Sequence, residues 1–487
     1  MVERRKSITS TWVRATGAAK VEKSYLWVAR AKRCSPYGEQ TASGRHAGLS
    51  VSTKKSAVSL FSGALGMDLG FELQGQFEIL ACVEFDPAAC ATIRANAEAG
   101  HFAGNPRVFE RDLFELTPEE LMTEIGIKPG ELDLLIGGPP CQSFSTAGRR
   151  QSVQDRRGTL LWRYLEFVIA LKPKVFVLEN VRGLMSAALQ HRPIADRPDK
   201  GGAKLTDKEQ PGSVIEKFID DLWRQTDGRY HVDAFEVNSV NYGAPQIRER
   251  VIFIGNSMGV EVDYPQPTHG ARVTETPATL FEESVSPALR WTSLRDAIGG
   301  LNEDAPELMD FSPRKKSFLA MVPEGGNWRT LPEEVQKESM GRAWFAKGGR
   351  SGWWRRLSWD FPCPTLVTMP NHASTSLCHP EQVRVLSVRE YARIQEFPEH
   401  WIFAGKTAEK YKQIGNAVPV RLGRVTAEVV SELLDWSSGR NTKKFRFSHE
   451  RFRQVYVNSH VRTRKWYRAG EVYSGTEAVD LSYAKVA

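Results

Sequence analysis

One stretch of the sequence reads Leu132-Asp133-Leu134-Leu135-Ile136-Gly137-Gly138-Pro139-Pro140-Cys141-Gln142. Its apolar first half predicts a short buried strand, and its glycine–proline second half predicts a tight turn that presents Cys141. In open α/β sheets the reacting groups lie beyond the carboxyl ends of the strands, which is where this turn would place the thiol. A lone free cysteine is usually only a small buried apolar residue, so the rest of the sequence must decide between the two interpretations.

Four other short apolar runs end in a similar way, in a glycine turn or near an acidic residue. They are residues 58–61, followed by the turn 62–66; residues 79–83, followed by Glu84; residues 108–109, which lead to Asp112; and residues 175–178, followed by Glu179. Segments of helical length, 87–99 and 159–171, lie between them. Strands that alternate with helices predict a doubly wound α/β fold with a mostly parallel sheet. We therefore expect the polar residues after the strands to gather on one edge.

The composition of the 487-residue chain limits the kinds of protein it can be. A hydrophobic content of 41% supports two or three domains, and the absence of an 18-residue apolar run argues against a membrane span. The basic N-terminus lacks the apolar segment of a secretory signal. Six cysteines without CxxC spacing are typical of reduced thiols and argue against structural zinc. We therefore expect a cytoplasmic protein that holds no metal.

The net charge of +8 is unevenly distributed. Residues 1–56 carry 12 Lys and Arg against 3 acids, and residues 439–487 carry 11 against 4, so the middle of the chain is acidic. Basic flanks suggest a polyanionic partner; the alternative is a pair of solvated tails. The stretch 341–359 combines four Trp with five Lys or Arg and no acid. This mixture is typical of nucleic-acid binding, and the alternative is an aromatic core within a small domain.

The first turn, Phe61-Ser62-Gly63-Ala64-Leu65-Gly66, is similar to a nucleotide-binding glycine turn but lacks the GxGxxG pattern. Glu84 follows Gly66 by 18 residues, at the end of the second predicted strand. An acid at about this spacing is suited to binding ribose hydroxyls. Together the two features predict a cofactor that contains adenosine, and a single nucleoside is favoured over a dinucleotide.

Six motifs, in this linear order, make the chain resemble the cytosine-5 DNA methyltransferases of bacterial restriction–modification systems. They cover roughly residues 57–438 and are Phe61-Ser62-Gly63 with Gly66; Gly138-Pro139-Pro140-Cys141-Gln142-Ser143-Phe144-Ser145; Glu179-Asn180-Val181; Tyr242-Gly243-Ala244-Pro245-Gln246-Ile247-Arg248-Glu249-Arg250; Arg389-Glu390-Tyr391-Ala392-Arg393-Ile394-Gln395 with Phe397-Pro398; and Gln413-Ile414-Gly415-Asn416-Ala417-Val418-Pro419. Leu65 departs from the pattern, because the family usually has glycine there. We expect its side chain to crowd the methionine part of the cofactor slightly.

The resemblance implies a covalent mechanism with S-adenosylmethionine as methyl donor and no metal. Cys141 would add to carbon 6 of cytosine, which makes carbon 5 nucleophilic. Glu179 would hold or protonate ring nitrogen 3, and Arg250, aided by Arg248, would hold the base carbonyl. By default Glu179 is a helix cap and the two arginines are a solvated face.

The same resemblance implies the residues that bind the cofactor and the DNA. The cofactor residues are Phe61, Ser62, Gly63, Gly66, Glu84, Phe85, Asp112, Pro140 and Asn416. The DNA-contacting residues are Gln142, Ser145, Arg350, Arg355 and Arg356. A cytosine inside a duplex must flip out of the stack to react, so a second domain is needed to grip the duplex.

We therefore expect five regions, with the DNA cleft between the two folded domains. They are a basic, largely disordered N-terminal extension (1–56), a catalytic and cofactor-binding domain (57–285), a smaller irregular and β target-recognition domain (286–385), a hinge that returns to the catalytic domain (386–438) and a basic aromatic C-terminal tail (439–487).

Two other functions stay open from the sequence alone. A transfer-RNA cytosine-5 methyltransferase would share these motifs, and a non-catalytic DNA-binding regulator could retain the fold. The expected partners are double-stranded DNA and a cognate restriction endonuclease that acts on the same site. We expect a monomer associated with the nucleoid and not with a membrane.

Overall fold

A computed structural model of the protein describes residues 54–140, 156–271, 289–345 and 352–457. Twelve strands lie in these ranges: β1 (Lys55–Leu60), β2 (Phe77–Glu84), β3 (Arg107–Glu110), β4 (Leu134–Gly137), β5 (Val175–Asn180), β6 (His231–Asn238), β7 (Glu249–Asn256), β8 (Val260–Glu261), β9 (His269–Gly270), β10 (Leu289–Arg290), β11 (Arg446–Phe447) and β12 (Phe452–Tyr456).

Eleven α-helices lie in the same ranges: α1 (Gly66–Gln74), α2 (Pro87–Glu98), α3 (Pro118–Ile125), α4 (Arg156–Leu171), α5 (Ser213–Gln225), α6 (Leu294–Ile298), α7 (Pro313–Ala320), α8 (Glu333–Met340), α9 (Val388–Ile394), α10 (Thr407–Asn416) and α11 (Val420–Ser437). None of these described helices is long and apolar enough to cross a membrane.

Eight of the strands form one sheet in the order β12-β6-β7-β5-β4-β1-β2-β3. In this sheet, β7 pairs antiparallel with both β5 and β6, and the remaining pairs are parallel. The predicted doubly wound, mostly parallel α/β fold is therefore confirmed. The strands β1 to β5 all end at one edge of the sheet, and the reversed strand β7 begins at the same edge. The residues that follow β1 to β5 therefore share this edge with the first residues of β7.

Helices cover both faces of the sheet, because successive strand residues point to opposite sides. In β5, Val175 and Val177 pack with α1 and α11, whereas Phe176 and Leu178 pack with α3, α4 and α5. This alternation produces a three-layer α/β/α core.

Glycines allow the backbones of α1 and α11 to approach each other closely. A Cβ atom on Gly70 would collide with the backbone of Gly423 and Arg424, and one on Gly423 would collide with Met67. A Cβ atom on Gly66 would likewise collide with the carbonyl oxygen of Val418. The chain thus returns from its far end to lie directly against the first turn.

A separate hydrophobic cluster is formed by residues that lie between β10 and α9 in the sequence. It includes Phe318 of α7, Met340 of α8 and Trp354. Trp354 is 2% exposed, and its indole N–H donates to Ser339 Oγ at 2.9 Å. The alternative interpretation of the Trp-rich stretch, an aromatic core, therefore applies to this tryptophan. The boundaries 286 and 385 of a recognition domain stay a prediction.

The start of the predicted C-terminal tail is part of the folded body, which corrects our expectation for residues 439–487. β11 pairs with β8, and β12 extends the main sheet beside β6. Five of the six Lys and Arg residues in the described part of this segment pair with acids of the body: Arg440 with Asp435, Lys443 with Glu432, Arg446 with Glu261, Arg451 with Asp220 and Arg453 with Asp233. Complementary charge therefore attaches the segment to the acidic body.

At the other end of the chain, β1 begins at Lys55, two residues before the expected domain start. Lys55 is buried and forms an ion pair with Asp435 at 2.9 Å. Residues 1–53 and 458–487, which hold most of the predicted extension and the end of the predicted tail, lie outside the described residues.

Candidate active site

The strand register brings the predicted site residues to one edge of the sheet. Leu60, at the end of β1, pairs with Val83 of β2 and with Gly137 of β4. Gly137 pairs in turn with Leu178 of β5. The residues that follow these strands are the first turn, Glu84, the Gly-Pro-Pro turn and Glu179, so they are neighbours although the sequence separates them widely.

Glu179 and Arg250 form an ion pair at the centre of this edge. Arg250 Nε lies 2.5 Å from Glu179 Oε1, and the two side chains are 11% and 14% exposed. Arg250 Nη1 also donates to the carbonyl oxygen of Glu249 at 2.7 Å. The pair forms because β7 runs antiparallel to β5, so that its beginning meets the end of β5. Both groups keep a small open surface toward solvent.

The Gly-Pro-Pro turn lies directly beside Glu179. A Cβ atom on Gly138 would lie 3.2 Å from Glu179 Oε2, so glycine lets the carboxylate approach the backbone. Asn180 Nδ2 donates to the carbonyl oxygen of Pro139 at 3.1 Å. Pro140, half-buried, is the last described residue before Cys141. Cys141, Gln142 and Ser145 lie outside the described residues.

A tyrosine supports the two strands that lead to the Gly-Pro-Pro turn and to Glu179. Tyr164 of α4 donates its hydroxyl to the carbonyl oxygens of Leu135 and Val177, at 3.3 and 3.1 Å. Its ring fills the space that a Cβ atom on Gly137 would need. The sequence analysis gave no role to Tyr164 or Asn180. Asn180 could have been found, because it lies inside the quoted motif, whereas nothing local marks Tyr164.

Arg248 does not share the position of Arg250, which corrects its predicted role. It is 2% exposed, and its guanidinium donates to the carbonyl oxygens of Leu366 (3.2 Å), Gly415 (2.8 Å) and Asn416 (3.2 Å). The prediction assumed one continuous extended segment, but β7 begins only at Glu249, so the alternation of faces does not include Arg248. Its observed contacts bind the α10 end to the rest of the site.

Glu84 connects the first turn to the end of β2. Its carboxylate accepts hydrogen bonds from the backbone N–H groups of Gly63 (2.8 Å), Phe85 (2.9 Å) and Asp86 (2.9 Å). Burial raises the pKa of Glu84, and these hydrogen bonds oppose the shift. Phe85 beside it is 64% exposed, so it is not a core residue. An exposed ring next to a buried carboxylate is suited to a nucleoside.

The first turn has an unusual backbone. Phe61, Gly63 and Leu65 all have positive φ angles, of 58°, 53° and 66°. Non-glycine residues rarely adopt this conformation, and such strain is concentrated at functional sites. Leu65 is completely buried in the core, so the expectation that it crowds the cofactor is wrong. Ser62 is also buried, and its hydroxyl donates to the carbonyl oxygen of Ser59 at 3.2 Å.

Asp112 and Asn416 lie at or just after the ends of two elements, β3 and α10, that end near this turn. Asp112 follows β3, and its carboxylate accepts from the N–H of Phe114 at 3.1 Å. The backbone N–H of Arg111, the residue before Asp112, donates to the carbonyl oxygen of Glu84 at 3.0 Å. Asn416 is exposed at the end of α10, two residues before the carbonyl that contacts Gly66. Both predicted cofactor residues therefore belong to the same edge as the turn.

The predicted DNA-contacting arginines have different environments. Arg356 donates to the carbonyl oxygens of Pro380 (2.8 Å), Val322 (3.2 Å) and Glu381 (2.6 Å), so its guanidinium holds the backbone of its own domain, and its contact with DNA stays a prediction. Arg355 is half-buried, and its Nη2 would lie 3.3 Å from a Cβ atom on Gly352. Arg350 lies outside the described residues.

Among the described residues, no group of three or more His, Cys, Asp or Glu side chains could hold a metal ion. The four described cysteines, Cys82, Cys90, Cys363 and Cys378, are buried and unpaired. Burial raises the pKa of Cys363 and of Cys90 to about 12. These thiols are therefore protonated and inaccessible at neutral pH, so they are poor nucleophiles.

Comparison with known proteins gives a consistent set of matches. The family model of the C-5 cytosine-specific DNA methylases matches residues 56–432. The chain is 37% identical over 386 residues to the Type II methyltransferase M.Eco47II of Escherichia coli, covering 78% of this chain and 79% of that relative. It is 35% identical over 366 residues to the Type II methyltransferase M.Sau96I of Staphylococcus aureus, covering 75% and 73%.

A solved structure with the same fold comes from an Escherichia coli prophage and is described as a DNA modification methyltransferase. Its sequence is 22% identical, and the TM-score is 0.51, with 78% of this chain and 100% of that chain covered. This likeness concerns the fold alone.

Proposed function

Because the chain belongs to the C-5 cytosine-specific DNA methylase family and is a DNA cytosine-5 methyltransferase, we propose that it works through a covalent adduct between Cys141 and a flipped-out cytosine. One observation carries the proposal. The Glu179–Arg250 ion pair, at 2.5 Å, lies against the glycine turn that leads into Cys141. A carboxyl and a guanidinium beside a thiol are the groups that this reaction needs.

Each residue has a separate task in the proposed mechanism. The Cys141 thiolate attacks carbon 6 of the ring, and the new carbon–sulfur bond makes carbon 5 nucleophilic. Glu179 holds ring nitrogen 3 and Arg250 holds the adjacent carbonyl, which stabilises the charge that the attack places on the ring. After methyl transfer, the proton leaves carbon 5 and the electron pair expels Cys141. Asn180 and Tyr164 act indirectly, because Asn180 holds the backbone of the turn that leads to the thiol and Tyr164 holds the strands that precede this turn and Glu179.

The residues around the first turn fit S-adenosylmethionine. Gly63 has open space on the side where a side chain would project, and the exposed Phe85 ring offers a stacking surface for adenine. A carboxylate has roughly four acceptor positions, so Glu84 can bind a ribose hydroxyl besides its three N–H donors. Phe61, Ser62, Gly66, Asp112, Pro140 and Asn416 would complete the pocket. When bound, S-adenosylmethionine supplies an electrophilic methyl group from its sulfonium.

The DNA would lie between the sheet edge and the region that contains the Trp354 cluster. The target cytosine must leave the duplex to reach Cys141, and contacts on both sides would stabilise the open duplex. Gln142, Ser145, Arg350 and Arg355 are the side chains we assign to this interface. The names of the relatives support a role in a Type II restriction–modification system, with a cognate endonuclease that acts on the same site.

The test uses unmethylated plasmid DNA, transfer RNA and a mechanism-based substrate. The wild-type protein should transfer labelled methyl groups from S-adenosylmethionine to the plasmid and not to transfer RNA. Bisulfite sequencing should then give the modified sequence. A duplex with 5-fluorocytosine at that position should form a denaturation-resistant adduct, because the fluorine cannot leave as a proton would. Cys141→Ser should form no adduct, since a neutral hydroxyl is a weak nucleophile. Turnover by Cys141→Ser would exclude the covalent mechanism, and methylation of transfer RNA alone would exclude the DNA substrate.

A further inference from the structure

The C-terminal strand β12 belongs to the catalytic sheet although it lies beyond residue 432, where the family match ends. It pairs with β6 from Phe452 to Tyr456. Tyr456 pairs with Glu236, Glu236 with Val251, and Val251 with Asn180. The end of β12 therefore lies in the same row of the sheet as Asn180, the residue after Glu179.

A series of polar contacts, which passes through the residue Glu249 itself, runs from β12 to the Glu179–Arg250 pair, and we call it the C-terminal contact chain. Gln454 Nε2 donates to Glu236 Oε1 at 3.0 Å. Arg182 Nε binds the other oxygen, Glu236 Oε2, at 2.7 Å. Arg182 Nη1 lies 3.9 Å from Glu249 Oε2, and the Glu249 carbonyl oxygen accepts from Arg250 Nη1 at 2.7 Å. Every member is a described residue with a defined neighbour on each side.

The burial of the members gives the contact chain its mechanical effect. Glu236 is buried, so its carboxylate needs both partners and has little freedom to move. Arg182 is 46% exposed and begins the short 3-10 turn that follows Asn180. Fixing Arg182 therefore holds the turn after the catalytic strand and restrains the first residue of β7 through the charge on the Glu249 side chain. The backbone carbonyl of the same residue accepts a hydrogen bond from Arg250, so the position of this backbone affects the Arg250 guanidinium.

We propose that β12 is a positioning element of the methyl-transfer site, with Gln454, Glu236 and Arg182 as positioning residues for Arg250 and Glu179. This inference rests on the proposed function of that pair. It differs from the expectation that the basic C-terminal region only attracts DNA. A small displacement of a reacting group is costly, since a misplacement of about 1 Å can lower a rate by roughly 10²-fold.

The two faces of β12 provide a matched control. Gln454 is on the face that carries the contact chain, whereas Val455 points to the opposite face and packs against the core with α1 and α11. Val455→Ala should therefore weaken the attachment of the strand and leave the contact chain intact. Gln454→Leu should remove the hydrogen bond to Glu236 and keep a side chain that a strand tolerates.

The experiment measures single-turnover methylation of unmethylated plasmid DNA at saturating S-adenosylmethionine, together with thermal melting and cofactor affinity. Gln454→Leu should lower the rate by about tenfold, an intermediate value on that scale, without changing cofactor affinity. Val455→Ala should lower the melting temperature and keep the rate. The exchange Glu236→Gln with Gln454→Glu restores an amide–carboxylate contact. It should keep the wild-type melting temperature but not the wild-type rate, because Arg182 loses the carboxylate of Glu236.

Arg182→Gln keeps the test decisive if a β12 variant fails to fold, since the Arg182 side chain is 46% exposed and is outside the core. It should lower the rate of the bound complex and leave the salt dependence of DNA binding unchanged. Equal rates for Gln454→Leu and the wild type would overturn the inference. So would recovery of the rate in the exchange variant, or an effect of Arg182→Gln confined to DNA affinity and its salt slope. An inactive wild-type protein would instead contradict the proposed function itself.

Discussion

Two arginines separated by one residue have different roles in this site. Arg250 faces Glu179 at the open edge of the sheet, whereas Arg248 is buried and binds three backbone carbonyls. Both side chains carry the same charge, and the two residues belong to the same sequence motif. What differs is the polar group that the fold places opposite each one, a carboxylate for Arg250 and the end of α10 for Arg248.

Replacing Glu179 by Gln tests its proposed part in the reaction. The amide cannot donate a proton from an acid or form the ion pair with Arg250, so methyl transfer should fall by about 10² to 10⁴-fold. Single-turnover methylation of plasmid DNA measures the rate, and calorimetry should show nearly unchanged binding of S-adenosylmethionine. Glu110→Gln, a change at an exposed acid at the end of β3, is the matched control and should be fully active. A wild-type rate for Glu179→Gln would transfer the acid role to another group.

Glu84→Gln should act on cofactor binding rather than on chemistry. The substitution removes the charge and one acceptor while keeping the size of the side chain, so calorimetry should show weaker binding of S-adenosylmethionine. Because burial raises the pKa of Glu84, lowering the pH protonates it earlier than an ordinary glutamate. Wild-type affinity should then fall as the pH decreases through this raised value, and the affinity of Glu84→Gln should change less. Equal pH profiles for the two proteins would contradict this assignment.

Among the elements, the Trp- and Arg-rich stretch shows how one composition can serve two purposes. Trp354 is buried in the small core, and Arg356 holds the backbone of Val322, Pro380 and Glu381. Aromatic and basic residues are therefore structural in this part of the stretch. Of the three arginines that we predicted at the DNA, Arg350 and Arg355 are the ones to which we still assign base reading.

Arg356→Ala should destabilise its domain without changing sequence choice. Three carbonyl oxygens lose a charged donor, and each lost bond of this kind costs about 1–3 kcal/mol when the acceptor stays buried. We expect a lower melting temperature and an unchanged methylation pattern in bisulfite sequencing. Arg355→Ala is the comparison. If Arg355 reads a base, its loss should reduce the discrimination between bases at one position of the DNA site by about 1–3 kcal/mol. Relaxed choice at a normal melting temperature in Arg356→Ala would contradict its structural role.

In the whole molecule, the basic C-terminal region divides into two parts. Up to residue 457 most of its cations pair with acids of the body, and its strands extend the sheets. Deleting residues 439–487 would therefore remove β11 and β12 together with any electrostatic arm. After residue 457, four cations lie close together in the sequence, beside Trp466 and Tyr467. They are Arg462, Arg464, Lys465 and Arg468.

Deleting only residues 458–487 should weaken DNA binding and keep the melting temperature. Each lost phosphate contact should reduce the slope of log affinity against log salt by about 0.9. The control is deletion of residues 469–487, which keeps the four clustered cations and should preserve the slope. Fluorescence titration at several salt concentrations measures both. An unchanged slope in the longer deletion would show that this segment makes no phosphate contacts.

The sequence by itself determined the features that depend on local patterns. Short apolar runs and their spacing predicted the parallel sheet, and the residues directly after those runs predicted Glu84 and Glu179 at its edge. These predictions succeed because the alternation of faces is a property of each strand, and because a helix between two successive strands makes them parallel. The six motifs likewise identified the family, since each is a local stretch whose residues can be compared directly.

The tertiary structure alone decided which polar groups face the reaction. Arg248 is bound by carbonyls 118 and 167 positions further along the chain, and Glu236 accepts from Gln454 at a separation of 218. The inward position of Leu65 and the addition of β12 to the sheet are also contacts of this kind. No local pattern specifies such partners, because burial, desolvation and hydrogen bonding depend on which distant segments the closed fold brings together.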